Sequence, residues 1–127
     1  MNIIIKNTAG KPIYEQIKEQ IKEAILTGEL GEGDMLPSIR KLALSLRISV
    51  ITTARAYTDL EEEGYVVNVQ GKGCFVAPKN NDLFREQILR QIEEHLAAAA
   101  DTGKVAQLKR DDLKKMFELI LDENEYE

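Results

Sequence analysis

Residues 36–65 read LPSIRKLALSLRISVITTARAYTDLEEEGY, and most of the architecture can be predicted outward from this stretch. It contains two apolar patterns of helical spacing, one after Ser38 and one after Ser49. Serine is a good N-cap, so each pattern has a start signal for a helix. Only Arg47–Ser49 separate the two patterns, and so short a connection forces two helices to cross steeply. The sequence therefore predicts a helix-turn-helix.

The flanking sequence supplies the other parts of a winged helix. Upstream, isoleucine recurs every four residues within 12–27, which predicts an amphipathic helix that ends in the glycine-rich loop 28–34. Downstream, the second helix of the helix-turn-helix should end at Gly64. β-Branched and aromatic residues then stand on both sides of a glycine-containing turn at 70–73, a pattern typical of a β-hairpin, or wing.

The C-terminal part of the chain is predicted to be a helical hairpin. Residues 78–82, PKNND, read as a polar linker. Two apolar patterns of helical spacing follow, and we expect the first of these helices to end at residues 101–103. The predicted fold class is therefore mainly α with a small β-hairpin wing. A winged helix-turn-helix domain occupies 1–78, and a two-helix dimerisation tail occupies 79–127.

Composition excludes several classes of protein. The 127 residues are 43% hydrophobic and 31% charged, and no apolar run approaches the ~20 residues that span a membrane. The N-terminus lacks the features of a secretory signal, so we expect a cytoplasmic protein with no membrane partner. The single Cys74 and single His95 allow neither an internal disulfide nor a Cys/His metal cluster. Because no nucleophile, base or metal site converges, we expect no catalytic residue, metal or cofactor.

The distribution of charge points to a nucleic acid in spite of a formal net charge of −5. The excess of acidic residues lies in 80–127, which holds seven Lys/Arg and twelve Asp/Glu. By contrast, 35–58 holds four basic residues and no acidic one. A local positive field of this kind suits contact with phosphates, whatever the charge of the remaining surface.

The residues best suited to reading DNA lie on the polar face of the helix that follows Ser49, the second helix of the helix-turn-helix. At about 100° per residue, the face opposite the predicted core carries Ile51, Arg55, Thr58 and Glu62. Arg55 is the candidate base reader, because an arginine can donate to guanine O6 and N7 together. Val50 and Ile51 can contact a thymine methyl group. The alternative is a polar face that is merely solvated.

Other candidate contacts lie at helix N-termini and at the hairpin tip. Ser38 and Ser49 are predicted caps, and an exposed helix N-terminus also suits a phosphate. Arg40 can bind a phosphate or pair with an acid of its own fold, and we favour the phosphate. By composition, Gly71 and Lys72 are typical of an ordinary turn. The order of the elements, with the hairpin directly after the helix-turn-helix, favours contact of these residues with a DNA groove.

Seven motifs resemble the winged-helix domain of the GntR family of bacterial transcription regulators: PIYEQI at 12–17, GELGEGD at 28–34, LPSIR at 36–40, LA at 42–43, AY at 56–57, LE at 60–61 with GY at 64–65, and GKGCFV at 71–76. The resemblance covers about residues 10–78, and the Ala-Tyr pair with the short tail resembles the YtrA-like branch. It implies a dimeric, repressor-type regulator that binds a palindromic operator. By position, the family's groove and phosphate contacts correspond to Ser38, Arg40, Ser49, Val50, Thr52, Ala54, Gly71 and Lys72.

Departures from the family pattern bear on mechanism. Many members have arginine where this chain has Val50 and Ala54, so the family's operator preference cannot be transferred. Arg47 stands at a turn position usually held by glycine, which implies either a left-handed backbone or a different turn. Cys74 replaces a usual Thr or Ser, and we interpret it as a small strand residue and not a redox sensor.

The apolar stripes of the tail need another surface to cover them, and a second copy of the chain is the simplest one. A two-fold interface would space the two reading helices by roughly 34 Å, near one turn of DNA. The predicted interface residues are Phe84, Ile88, Ile92, Leu96, Leu113, Met116, Phe117 and Ile120. The alternative is that the tail packs on the winged helix of its own chain.

Two questions stay open at this stage. The tail is too short to enclose a ligand pocket of about 300 Å³ within one chain, yet a small-molecule effector between protomers, or between the tail and the winged helix, is compatible with the sequence. A winged helix can also serve as a protein-interaction module without DNA, and Val50, Ala54 and the net charge are compatible with that function. The acid-free segment 35–58 favours DNA, because an interaction module would not need it.

Overall fold

The computed structural model describes residues 1–7 and 10–127. In this part of the chain the elements are α1 Ile13–Leu26, α2 Ile39–Leu46, α3 Val50–Glu62, β1 Val66–Val69, β2 Gly73–Val76, α4 Asp82–Val105 and α5 Arg110–Glu123. The two strands pair antiparallel. This is a winged helix followed by two helices, so the predicted fold class is confirmed.

The chain divides into two compact units, Met1–Gln87 and Ile88–Glu127. The first unit contains the whole winged helix and the beginning of α4. The predicted domain boundary between residues 78 and 79 stays a prediction. The polar linker 78–82 ends at Asp82, which is the first residue of α4.

Both helices of the helix-turn-helix begin at the predicted serine. The Ser38 side-chain oxygen accepts from the N–H of Lys41 at 3.1 Å, and the Ser49 oxygen accepts from the N–H of Ile51 at 3.0 Å. Each bond satisfies a backbone donor that the first helical turn leaves without an internal partner. The local sequence therefore sets the start of the two helices.

The turn between α2 and α3 is made by Arg47 in a left-handed conformation, with φ 56° and ψ 48°. The N–H of Arg47 donates to the carbonyl of Leu44 at 3.2 Å, and the N–H of Ile48 donates to that of Ala43 at 3.0 Å. This pair of bonds is a Schellman motif, which usually has glycine at the left-handed position. Of the two alternatives posed by the family pattern, the chain adopts the strained backbone.

Replacing Arg47 with glycine should raise the free energy of unfolding by about 0.5 to 1 kcal/mol. Glycine removes the left-handed penalty of about 1–2 kcal/mol, and its greater freedom in the unfolded chain offsets part of the gain. Urea denaturation measures the change. Arg47→Ala is the matched control, because it removes the charge and keeps the strain. A glycine variant no more stable than the alanine variant would contradict this account.

The core of the first unit forms where α1 and α3 meet the base of the wing. Its largest fully buried side chains include Ile17, Ile21, Leu60 and Tyr65. The α3 residues predicted to face inward are all buried: Thr53, Ala56, Tyr57 and Leu60. The inward face of α3 therefore matches the helical periodicity.

Ion pairs join α1 to α3 beside this core. Lys18 Nζ lies 2.7 Å from one carboxylate oxygen of Glu63, and Lys22 Nζ lies 2.7 Å from the other. Lys18 is also 3.8 Å from Asp59 Oδ2. Burial alone would raise the pKa of Glu63, but hydrogen bonds from Lys18 and Lys22 outweigh it and hold the pKa below its ordinary value. The pairs therefore stabilise the folded state while Glu63 is ionised.

Glu63→Gln should lower the free energy of unfolding by about 1 kcal/mol at pH 7, the upper range for an ion pair near the surface. Because the folded pKa of Glu63 is depressed, its contribution is present above the unfolded pKa near 4.5 and is lost as the pH falls through the folded value. The variant and the parent should therefore converge in urea titrations below pH 4. The exposed neighbour Glu62→Gln is the control and should change little. A deficit that is constant between pH 7 and 3 would exclude the electrostatic explanation.

The wing has a third backbone segment beside its two strands. Met35 forms a bridge with Phe75, and the N–H of Leu36 donates to the carbonyl of Cys74 at 2.8 Å.

Burial raises the pKa of the Cys74 thiol to about 11, and the Glu61 carboxylate adds to the shift. A thiol that stays protonated at neutral pH is a poor nucleophile, which supports the interpretation of Cys74 as a strand residue.

The prediction that the first tail helix ends at residues 101–103 was wrong, because α4 continues to Val105. Gly103 is buried, and a Cβ built on it would lie 3.6 Å from Leu113 Cδ2. The glycine thus lies where α4 passes close to α5. The turn comes later, at 106–109, with Gln107 at φ 58°.

Candidate nucleic-acid interface

The N-terminal turn of α3 presents apolar side chains to solvent. Ile51 is 81% exposed and Val50 is 48% exposed, an unusual placement for β-branched aliphatic residues. Arg55 and Thr58 continue the same exposed face toward the C-terminus of the helix, and Glu62 ends it. The outward face predicted from periodicity is therefore the exposed face. Its chemistry combines methyl groups with a guanidinium, a combination that can read thymine and guanine in a major groove.

The predicted DNA contacts lie at two places in the first unit. The starts of α2 and α3 carry seven of them: Ser38, Arg40, Ser49, Val50, Ile51, Thr52 and Arg55. All seven are exposed except Thr52, which is partly exposed, as is Ala54. Gly71 and Lys72 are exposed at the hairpin tip. The hairpin is joined to α3 by a bond of 2.8 Å from the N–H of Asn68 to Glu61 Oε2.

The positive field of residues 35–58 is on the surface. Its four basic side chains, those of Arg40, Lys41, Arg47 and Arg55, are all exposed. Two of them flank the capped start of α2 and one forms the turn before α3. Helix N-termini carry partial positive charge, so the two capped helix starts attract an anion, as these basic side chains do.

Sequence reasoning missed one contact within this surface. The Arg55 guanidinium carbon lies 3.7 Å from the centroid of the Tyr14 ring of α1, a cation–π stack. A signal was available: Tyr14, Lys18 and Lys22 are spaced by four residues in α1, as are their partners at 55 and 59 in α3 and at 63, directly after it. Arg55 is therefore held at the α1 side of the exposed face.

The tail carries an apolar face that its own unit leaves exposed. Ile92, Leu96, Met116, Phe117 and Ile120 are each between 44% and 51% exposed, and Ile88 and Leu113 are partly exposed. Phe84, predicted to belong to the same face, is placed differently. It is only 9% exposed and meets the Tyr65 ring edge-on, with the centroids 5.7 Å apart. Phe84 is therefore a core residue of the first unit, because the beginning of α4 packs there.

Within residues 1–7 and 10–127, no cluster of three or more His, Cys, Asp or Glu side chains has the arrangement of a metal site. Over the same residues, no helix is both long enough and apolar enough to cross a bilayer.

Comparison with known proteins decides the family. The model described as "Bacterial regulatory proteins, gntR family" matches residues 13–76, about half of the chain and almost the whole winged helix. The chain belongs to this family. The GntR resemblance seen in the motifs is thus confirmed, and with it the function of a DNA-binding transcription regulator. The family is one of regulators, a class that is generally not enzymatic.

Individual relatives agree with this assignment. The chain is 36% identical over 94 residues to the HTH-type transcriptional repressor YtrA of Bacillus subtilis (strain 168), covering 74% of this chain and 72% of the relative. Among solved structures, YtrA from Sulfolobus acidocaldarius is 40% identical with a TM-score of 0.58, over 75% of this chain and 97% of that one. AraR(DBD), solved in complex with operator ORX1, is 29% identical with a TM-score of 0.54, over 61% of this chain and 96% of that one.

Proposed function

We propose that this GntR-family chain is a cytoplasmic repressor that binds a palindromic operator as a homodimer. One observation carries the proposal: the capped, solvent-exposed start of α3 lies in a surface segment with four basic side chains and no acidic one. A protein-interaction module would have no need of that combination. The relative named as a repressor, YtrA of Bacillus subtilis, and the solved operator complex of AraR(DBD) support the same function.

Each part of the surface has a distinct role in this proposal. The exposed N-terminal turn of α3 enters the major groove, where Arg55 reads guanine and Ile51 and Val50 contact thymine methyl groups. Arg40 binds a phosphate beside the capped start of α2. At the hairpin tip, the small Gly71 lets the backbone approach the duplex closely, and Lys72 supplies charge. Thr52, Ser38 and Ser49 complete the contacts near the DNA backbone.

The apolar face of the tail supports the homodimer. Large apolar side chains that are left exposed on so small a unit usually mark an interaction surface. The tail also holds the excess of acidic residues, which would oppose the phosphates if it approached the DNA. Dimerisation gives the tail a role that requires no contact with the phosphates. Without Phe84, the proposed interface comprises Ile88, Ile92, Leu96, Leu113, Met116, Phe117 and Ile120.

The experiment that tests this function is fluorescence-anisotropy binding to the DNA upstream of the gene that encodes the chain. Titrations run at several salt concentrations, beside a scrambled duplex of the same length. We expect the specific duplex to bind ~10³-fold or more tightly than the scrambled one. Absence of binding even at low salt, where the phosphate contribution is strongest, would overturn the proposal in favour of the protein-interaction module.

Replacing both Arg40 and Lys72 with alanine should weaken binding to every duplex. Each neutralised phosphate contributes about 0.9 to the slope of log K against log salt, and each substitution occurs twice in a dimer, so the slope should fall by roughly 3 to 4. The ratio between specific and scrambled duplexes should change little, because phosphates carry no sequence information. Lys115→Ala, an exposed lysine of α5, is the control. An unchanged salt slope in the double variant would refute the phosphate contacts.

A further inference from the structure

The stack of Arg55 on Tyr14 places a side chain of α1 at the edge of the reading face. The guanidinium carbon is 3.7 Å from the ring centroid, the distance of direct contact between the two groups. Tyr14 is partly buried, whereas Arg55 is exposed. The ring thus forms a fixed platform under a side chain that solvent and DNA can reach.

The platform is held by the contacts that continue along the same two helices. One turn farther on, Lys18 pairs with Asp59 and Glu63, and a further turn on, Lys22 pairs with Glu63. These pairs fix α1 against α3 and therefore fix the ring relative to the reading face. The position of Tyr14 does not depend on the flexible arginine that it supports.

Stacking and base recognition use different parts of the guanidinium. A ring contacts the face of the planar group, and the N–H donors lie at its edge. Arg55 can therefore remain stacked while it donates to guanine O6 and N7. An arginine that is free in solution must give up rotamer freedom when it binds, whereas a stacked one has already given up much of it.

We propose that Tyr14 is a positioning residue for base discrimination, which holds the Arg55 guanidinium in the orientation that reads a guanine. The proposal rests on the proposed function, since it assigns a second residue to the reading step. It makes α1, a helix that lies outside the helix-turn-helix, a contributor to specificity. The effect should be confined to the one base pair that Arg55 contacts.

The test compares Tyr14→Leu, Tyr14→Phe, Arg55→Ala and the Tyr14→Leu/Arg55→Ala double variant. Each is titrated against the specific duplex and against duplexes in which each G·C pair of a half-site is replaced in turn. Arg55→Ala should abolish discrimination at one pair. Tyr14→Leu should reduce discrimination at that same pair by roughly 3- to 10-fold, the cost of immobilising one long side chain. Tyr14→Phe keeps the ring face and should retain discrimination, and Tyr14→Leu should add nothing when Arg55 is absent.

Three results would overturn the positioning role: unchanged discrimination in Tyr14→Leu, an equal loss on every duplex, or the same loss in Tyr14→Phe as in Tyr14→Leu. Urea denaturation of both Tyr14 variants checks that they fold equally well. Failure of the proposed function is seen separately, because the parent chain itself would then not distinguish the specific duplex from the scrambled one.

Discussion

Phe117→Glu in the tail should convert the dimer to a monomer and lower operator affinity by ~10³-fold or more. Phe117 is 44% exposed within its own chain, so the monomer can accept a glutamate there. In the proposed interface the same carboxylate would be buried without a partner, which is strongly unfavourable. A monomer contacts a single half-site and loses the gain of binding both together. Light scattering at micromolar concentration and operator binding measure the two consequences.

Lys115→Glu is the matched control for this change. It adds a negative charge to α5 about half a turn away from Phe117, on the polar side of the helix, and it should remain dimeric. A Phe117→Glu variant that keeps the mass and the affinity of the parent would refute the interface. A parent chain that is itself monomeric would favour the alternative, in which the tail packs on its own winged helix.

Gly64→Ala should lower the free energy of unfolding by about 3 kcal/mol or more. Gly64 ends α3 at φ 86°, a conformation that side chains rarely adopt. A Cβ would also lie 2.7 Å from Leu83 Cγ and 2.9 Å from the backbone nitrogen of Phe84. The backbone of α4 cannot move aside without disturbing the packing of Phe84 on Tyr65. Urea denaturation measures the loss.

Gly33→Ala separates the two causes of that loss. Gly33 has a similar φ of 80°, but no atom lies within 4 Å of an added Cβ. It should therefore cost only the left-handed penalty, about 1–2 kcal/mol. If the two alanine variants were equally stable, the close approach of α4 to Gly64 would have no energetic weight. A larger loss at Gly64 would show that the chain needs glycine there for space as well as for φ.

The winged helix could be predicted well because its signals are local. The cap at Ser49 involves atoms at most three residues apart, and the exposed face of α3 follows from helical geometry alone. The left-handed Arg47 was expected as one of two alternatives, because the family pattern has glycine at that place in the turn. Motif similarity over the same residues then led to the family, which the comparison with known proteins confirms.

At two positions the structure differs from what the local pattern indicates. Gly103 has the local appearance of a helix end, yet it lies inside α4, where a Cβ would be at ordinary contact distance from Leu113. Phe84 belongs by periodicity to the tail stripe, but its partner is Tyr65. Periodicity states which residues share a face and says nothing about the surface that covers that face.

The amino-acid sequence thus determined the two helices of the helix-turn-helix with their serine caps, the wing, the family and the reading face of α3, since each depends on neighbours within a turn or on a motif. The tertiary structure decided which of these surfaces are covered by other parts of the same chain. It assigned Phe84 to the core and Gly103 to a helix contact, and it set the guanidinium of Arg55 on the ring of Tyr14. Such pairings depend on how two helices approach each other, and that geometry is the outcome of all the packing in the unit together.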